Sequence, residues 1–522
     1  MATYKGRAGQ GGKRTSFRPR HLQSLAARET LKEVKLPRPA TTRYPISLED
    51  FRKLKETARQ PIEGHQAAQA ARLTHDASAA TVAPSAAGPV APPAAAAPAL
   101  GVTFAGINAT GWFPFDCTMA VGNNDVLLAV NSSVAIYDKT GGNPTQTTLT
   151  QWFSGAVPAD ATIFDPKALY DQYADRWVLL AAAHNNSQQA WFLISVSQTA
   201  DPRGSWWNYA LDATVDGTTP TNNWGDYPAL GLDDQALYLT ANMFQWGGGF
   251  QYAKLRIVPK ASVYAGGTPT FTDFVGMTNP DGSLVFTLQP CHAYGAPGIE
   301  YLVNSLFPSA SNPTSNSITV WTLSNPVTAP TLASVSVVTD PYGIPPHADQ
   351  QGNNDPLDSG DIRMLNAVFR DGAIWTALTN QHDWGEGVNR AAIQWFQVQA
   401  ATGNLMQQGI YGATALHYFY PAVMPDAGGN MLMAFGRCGA AEFASFYFTG
   451  RQAGDPSGSL QPSVLVQSGV ANYVMLDGSG RNRWGDYTGI AFDPFAPGSG
   501  QVWFHGGYAS GLNQWSTWVG SS

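Results

Sequence analysis

Trp224-Gly225-Asp226-Tyr227 opens the stretch WGDYPALGLDDQALYLTANMF. The same phrase returns at Trp484-Gly485-Asp486-Tyr487, opening WGDYTGIAFDPFAPGSGQVWFHGGY. Each copy leads into a short apolar strand, an acidic or Gly/Pro turn, and a second strand rich in aromatic and β-branched residues. Working outward, the same grammar appears in seven segments: 115–130, 164–181, 225–240, 290–304, 360–377, 420–434 and 485–504. One polar or aromatic anchor per segment gives Asp116, Asp165, Asp226, His292, Asp361, Tyr420 and Asp486, with steps of 49, 61, 66, 69, 59 and 66 residues. A period near 60 is too long for one hairpin and suits a four-stranded antiparallel blade with its loops. The expected fold is all-β: a seven-bladed β-propeller of four-stranded antiparallel blades over residues 101–522.

Composition agrees. Charged residues are only 13% of the 522, while Gly (53) and Pro (36) are plentiful, as turn-rich β proteins require. The net charge of −7 hides an asymmetry. Residues 1–100 carry 16 Lys+Arg and 7 Asp+Glu, a net of +9, which leaves −16 for residues 101–522. An acidic body repels phosphates and excludes nucleic acid as the ligand of the folded part. The basic N-terminus is open to three readings: an unusual targeting segment, an arm for an anionic partner, or a solvated tail beside the acidic body. Three cysteines, Cys117, Cys291 and Cys438, make no disulfide framework. No apolar run is long enough for a transmembrane helix, and no secretory signal is recognisable behind the basic start.

Residues 1–76 read as a basic, mostly disordered tail with a short helix near 47–59. Ser47 and Asp50 resemble a capping box, and Leu48, Phe51 and Leu54 share a face. A weaker helical pattern covers 63–73, and 77–100 is a Pro/Ala-rich linker. The last unit has only three strands, so the strand at 102–107 is expected to pair with it and close the domain.

The segments FDPKALYDQYADRWVLLAA, SQTADPRGSWWNYAL, LDSGDIRMLNAVFRDGAIWTALT and the two Trp-Gly-Asp-Tyr stretches resemble a group of largely uncharacterised bacterial propeller proteins. These are related at fold level to the sialidase-like (BNR, or Asp-box) propellers. The resemblance implies the repeat fold and an extracellular or cell-envelope location, although a cytoplasmic one is compatible with the absent signal. It implies no settled activity. Thr199–Trp206 looks like a degenerate Asp-box, a structural turn in that family. A sialidase needs an arginine cluster, yet of the ten arginines after residue 100 only Arg363 lies beside an anchor.

If the anchors open the innermost strands, they form a ring at one mouth of a central channel. Three readings then stand. Each Asp fastens neighbouring blades through backbone N–H groups, or the ring binds a cation or polar ligand, or two carboxylates hydrolyse a glycosidic bond. Asp226, Asp486 and His292 are the catalytic candidates; Asp116, Asp165, Asp361 and Tyr420 join them as ligand-binding candidates. Trp246 and Trp384, each flanked by glycine, are candidate sugar-stacking rings. The loop at 347–361 concentrates Asp355, Asp358 and Asp361, oxygen ligands of the kind calcium prefers, though turn residues look the same. No cofactor is required. The functional reading is a binding or scaffold propeller for a glycan or protein partner at the channel mouth; the alternative is a polysaccharide-active glycoside hydrolase or lyase using the same Asp residues.

Overall fold

The computed structural model describes residues 4–19, 32–33, 44–62, 73–81, 96–295, 298–496, 498 and 500–522. Its strands follow the alternation of apolar stretch and turn. Each turn reverses the chain, so consecutive strands pair antiparallel. Among the described residues the strands fall into seven four-stranded antiparallel sheets, of which the first six are simple meanders. Parallel pairing of their first strands joins the third, fourth and fifth into one larger sheet, and three two-stranded pairs lie outside the seven.

The first sheet is Thr118–Val121, Asp125–Val130, Ser133–Asp138 and Thr145–Thr148. The second is Thr162–Asp171, Arg176–His184, Ala190–Ser197 and Trp206–Asp212. The third is Asn223–Leu232, Ala236–Gln245, Phe250–Pro259 and Thr270–Phe274. The fourth comprises Gln289–Tyr294, Ile299–Ser305, Thr314–Ser324 and Thr331–Gly343. The fifth comprises Ala367–Arg370, Ala373–His382, Arg390–Gln399 and Asn404–Gly412. The sixth comprises Leu416–Pro425, Met431–Gly439, Glu442–Arg451 and Val464–Gln467. The seventh takes Gly489–Asp493, Gln501–Gly511 and Gln514–Ser521 from the C-terminus and Thr103–Asn108 from near the start. That last strand pairs antiparallel with 514–521, as the three-stranded final unit requires.

Strands such as Ala236–Gln245 are buried on both faces, which a half-exposed sheet could not support. The partners are the neighbouring sheets. Seven apolar clusters fill the successive spaces between sheets, and one lies between the seventh and the first. The first strand of each sheet lies against the first strand of the next, and the seventh against the first.

The N-terminal region departs from its composition. Residues 4–17, read as disordered, form strands Tyr4–Lys5, Arg7–Gln10 and Lys13–Phe17. They add to the outer edges of the fourth, third and second sheets in that order. Short basic strands cannot bury enough apolar surface alone, but an open sheet edge supplies the hydrogen bonds and the acidic body the charge. Farther on, the helix Leu48–Thr57 is capped by the Ser47 hydroxyl, which accepts from Asp50 N at 3.0 Å. Phe51 and Leu54 join the cluster between the fourth and fifth sheets. Leu73–His75 pairs parallel with the outer strand of the fifth sheet. The helical pattern at 63–73 and the linker at 77–100 fall largely outside the described residues, although Ala77–Thr81 is one turn of 3-10 helix.

Candidate functional site at the centre of the sheets

Five of the seven sheets are entered through a non-glycine residue in the left-handed region. These are Asp116, Asp165, Tyr227, Thr287 and Tyr420, with φ between 49 and 54°. Such residues cost about 1–3 kcal/mol each and persist where surrounding bonds hold them. Here the bonds come from the preceding sheet. Asn131 Oδ1 accepts from Asp165 N and Asn242 Oδ1 from Thr287 N, both at 2.7 Å; Thr379 Oγ1 accepts from Tyr420 N at 3.1 Å. Asp116 closes the series by accepting from Asp486 N at 2.6 Å, which joins the first sheet to the seventh.

Asn131, Asn242 and Thr379 thus fasten neighbouring sheets, and the Asp116 carboxylate does the same through the Asp486 N–H. Asn242→Ala removes the acceptor of a buried N–H at a left-handed residue. It is expected to cost about 1–3 kcal/mol in urea denaturation, against under about 0.5 kcal/mol for an exposed control substitution.

The anchors do not share one register. The paired positions skip two residues after Phe164, Asp226 and Phe419, so Tyr227, not Asp226, is the counterpart of Asp165 and Tyr420. Asp226 accepts from the N–H of Tyr227 at 3.0 Å. His292 sits farther along its strand. Its Nε2 meets Gln172 Oε1 at 2.9 Å and its Nδ1 meets the Tyr294 hydroxyl at 3.3 Å. Burial pushes this imidazole down to about 3, so it is neutral.

Two adjoining cavities occupy the centre. The first, about 360 Å³, is walled by Tyr227, Tyr420, Asp361, Arg363, Arg481 and Asp486, and by Tyr44 from the N-terminal region. Arg363 grips Asp361 bidentately, with Nε–Oδ1 at 2.8 Å and Nη2–Oδ2 at 2.7 Å, and its guanidinium lies 4.2 Å from the Tyr227 ring centroid. Arg483 holds Asp486 at 2.7 and 2.8 Å. Arg481 donates to the Tyr44 hydroxyl at 2.8 Å and pairs with Asp477 at 2.8 Å. Burial drives the Tyr44 phenol up to about 12, so it stays protonated.

Three arginines thus converge where the sequence pointed to Arg363 alone. Arg481 and Arg483 sit on the loop before the seventh sheet and reach Arg363 only because the sheets return on themselves.

The second cavity, about 560 Å³, continues inward past Leu365 and is lined by Lys167, Tyr487, Gln289 and His292. Lys167 escaped the sequence reading, although a lysine in the apolar strand FDPKALY was a visible signal. Its Nζ lies 2.9 Å from the Tyr487 ring centroid. Burial lowers its pKa to about 7 against the opposing pull of the Asp165 and Asp116 carboxylates. Asp165 moves the other way, to about 7, through burial first and then the Asp226 and Asp486 charges. Asp116 is raised well above the carboxylate range for the same reasons.

Of the remaining candidates, Asp358 lines the first cavity together with Asp361. Asp358 is buried beside Lys55 of the N-terminal helix at 3.5 Å, with Arg481 at 3.4 Å. Burial would raise its pKa, but these cations and His347 outweigh that and hold it well below the ordinary range. Asp361 is taken by Arg363, and Asp355 is exposed on the short strand Asn353–Leu357. Among the described residues, no group of three His, Cys, Asp or Glu side chains is placed to hold a metal. Trp246 leans on Trp224 and His184, Trp384 packs edge-on to His382 at 4.5 Å, and both rings are partly buried. The Asp-box-like segment is a turn, with Asp201 accepting from Arg203 N at 2.8 Å. All three cysteines are buried and free.

No family model matches this sequence. No curated protein matches it either. Among solved structures, a protein of unknown function from Dyadobacter fermentans is 10% identical, with 68% of this chain and 93% of that chain covered at a TM-score of 0.39. The polysaccharide lyase Uly1 is 10% identical over 78% and 90%, at 0.37. The GH43 endo-arabinanase from Bacillus licheniformis is 13% identical over 56% and 97%, at 0.29. All three scores lie below 0.5, so the functional reading rests on the residues themselves. No helix among the described residues is long and apolar enough to cross a membrane.

Proposed function

We propose that the seven sheets are the blades of a seven-bladed β-propeller and that the chain binds a glycan at the mouth of its channel. The carrying observation is the composition of the 360 Å³ cavity. Tyrosine rings lie beside ion pairs whose remaining donor and acceptor positions suit vicinal hydroxyl groups. A link to the sialidase-like propellers and an extracellular or envelope location belong to this same proposal. The basic N-terminal region needs no external partner in this reading, since Lys55, Arg59 and Arg7 meet Asp358, Asp349 and Asp216 of the same chain.

A second reading, a polysaccharide hydrolase or lyase, is favoured by one observation. The Asp165 carboxyl is held near 7 in the same electrostatic cluster as Asp486, which an arginine grips. Carboxyls in unlike environments are the usual acid and base of glycoside cleavage.

A panel of neutral and uronate-containing polysaccharides separates these readings. Binding by calorimetry is expected for at least one polymer and is expected to weaken more than about tenfold in Arg363→Ala, a change of about 1.4 kcal/mol. Asp165→Asn is expected to leave binding intact if the protein only binds. If it cleaves, the same variant loses reducing-end or unsaturated-product release while still binding. Absence of any glycan binding would overturn both readings.

A further inference from the structure

Lys167 stands apart from the other buried lysines. Lys55, Lys254 and Lys260 each meet a carboxylate, at 3.5, 2.9 and 2.6 Å. Among the described residues, no hydrogen bond or ion pair engages the Lys167 amine. Its contacts are aromatic: the Tyr487 ring at 2.9 Å and the Tyr227 ring at 5.6 Å from their centroids. The amine borders the inner cavity of about 560 Å³, whose wall combines apolar Leu365, Cys117 and Ile490 with polar Gln289, Asn366 and Thr488. Across that cavity the Gln289 side-chain amide nitrogen is buried and has no partner. One amine without a hydrogen-bond partner and one unpartnered amide donor thus border the same cavity.

We propose that Lys167 is a nucleophilic amine that condenses with a small uncharged carbonyl compound entering the central cavity, with the Gln289 amide placed to hydrogen-bond a ligand oxygen. This site adjoins the glycan-binding mouth at Leu365 and shares the Asp165 carboxyl with the cleavage reading, but it does not require that a glycan binds there. The surrounding carboxylates of Asp116, Asp165 and Asp486 disfavour an anionic ligand, which selects an aldehyde or ketone over an oxo acid. The chemistry balances without an external oxidant. The Nζ lone pair forms the C–N bond, and one amine proton passes to the carbonyl oxygen. The C–O bond then breaks as that hydroxyl leaves as water with a proton from the Asp165 carboxyl, leaving a protonated imine and a carboxylate. Asp165 suits this role because its buried carboxyl interacts electrostatically with the Lys167 amine, and burial with the Asp226 and Asp486 charges raises its pKa to about 7. Burial lowers the amine to about 7 as well, so free amine is present at neutral pH. A lysine at its ordinary value of about 10.5 is free to roughly one part in 3,000.

The test is reductive trapping on the full chain. Acetaldehyde at limiting concentration and cyanoborohydride as hydride source are added at pH 7, and each lysine peptide is followed by mass spectrometry. Lys167 is expected to be alkylated at least about tenfold faster than the exposed Lys13 and Lys53, with a rate midpoint near pH 7. Labelling no faster than these two, or a midpoint near pH 10, overturns the proposal. Lys167→Met should remove only that adduct; should this variant fail to fold, the residue-resolved rates on the unaltered chain still decide.

Discussion

Replacing Arg256 by methionine is expected to lower stability by about 3–5 kcal/mol. Neither side chain of the Arg256–Asp273 pair is exposed at all, at 0% each. The guanidinium grips the carboxylate through Nε and Nη2, both at 2.7 Å, and donates to Asp212 O at 2.6 Å and Val215 O at 3.0 Å. Phe271 covers it, its ring centroid 3.8 Å away. Asp273 also accepts from Gly217 N at 2.8 Å. The single variant therefore strands a carboxylate in the core together with two carbonyl groups. The cost reflects that abandoned charge more than the worth of the pair, because desolvation offsets most of the mutual attraction. The double variant Arg256→Met with Asp273→Leu is accordingly expected to lose less than the single one in urea denaturation. A double variant at least as unstable as the single would show that the pair itself stabilises. Asp273 lies in the strand that receives residues 7–10, opposite Arg7. Faster amide hydrogen exchange at Ala8 and Gln10 is therefore expected in the single variant, because their edge partner loosens.

Local features were the ones that could be read from the sequence. A meander of four strands writes itself into the chain as apolar stretches and turns, so the period near 60 and the missing fourth strand of the last sheet were both legible. The register of the opening phrase was not. Trp-Gly-Asp-Tyr occurs twice, yet only Tyr227 is left-handed and Tyr487 is not. The two copies differ in the next residue. Pro228 succeeds Tyr227, as Pro166 succeeds Asp165 and Pro421 succeeds Tyr420, whereas Thr488 succeeds Tyr487. The residue before the proline was the better anchor, and choosing the Asp of the phrase placed Asp226 one position early. The fasteners Asn131 and Asn242 were visible as polar residues in apolar strands, but their partners lie 34 and 45 residues away. The N-terminal strands were illegible for a stronger reason. Their composition records only what they cannot do alone, and the edges that order them lie at least 189 residues downstream in the chain.

Asp76 is the point at which that N-terminal region is most firmly held, and Asp76→Ala is expected to cost about 3 kcal/mol, at the lower end for a broken buried pair. The carboxylate has no exposed surface. It accepts from Ser463 N at 2.9 Å, Ser78 N at 3.0 Å, the Tyr418 hydroxyl at 3.0 Å and Arg437 Nη1 at 3.3 Å, besides the Ser463 hydroxyl. Arg437 keeps Glu442 at 2.9 Å when Asp76 is gone, so the variant strands no isolated cation. It does strand the Ser463 N–H and the Tyr418 hydroxyl in the sixth sheet. Burial alone would raise the Asp76 pKa, but the bonds from Ser463 and Ser78 and the Arg437 charge outweigh it and hold the group below its ordinary value. A folded value below the unfolded one means the stabilisation is complete above about pH 4, the unfolded carboxylate range, and is lost as pH falls through the folded value. Hydrogen exchange at 73–79 should therefore be flat from pH 7 to about 4, once corrected for intrinsic rates, and accelerate below it. In Asp76→Ala the same amides should exchange fast at every pH, while those of the distant third sheet stay protected. Protection at 73–79 that survives the substitution would show that the parallel pairing of Leu73–His75 with the fifth sheet, rather than the carboxylate, holds the segment in place.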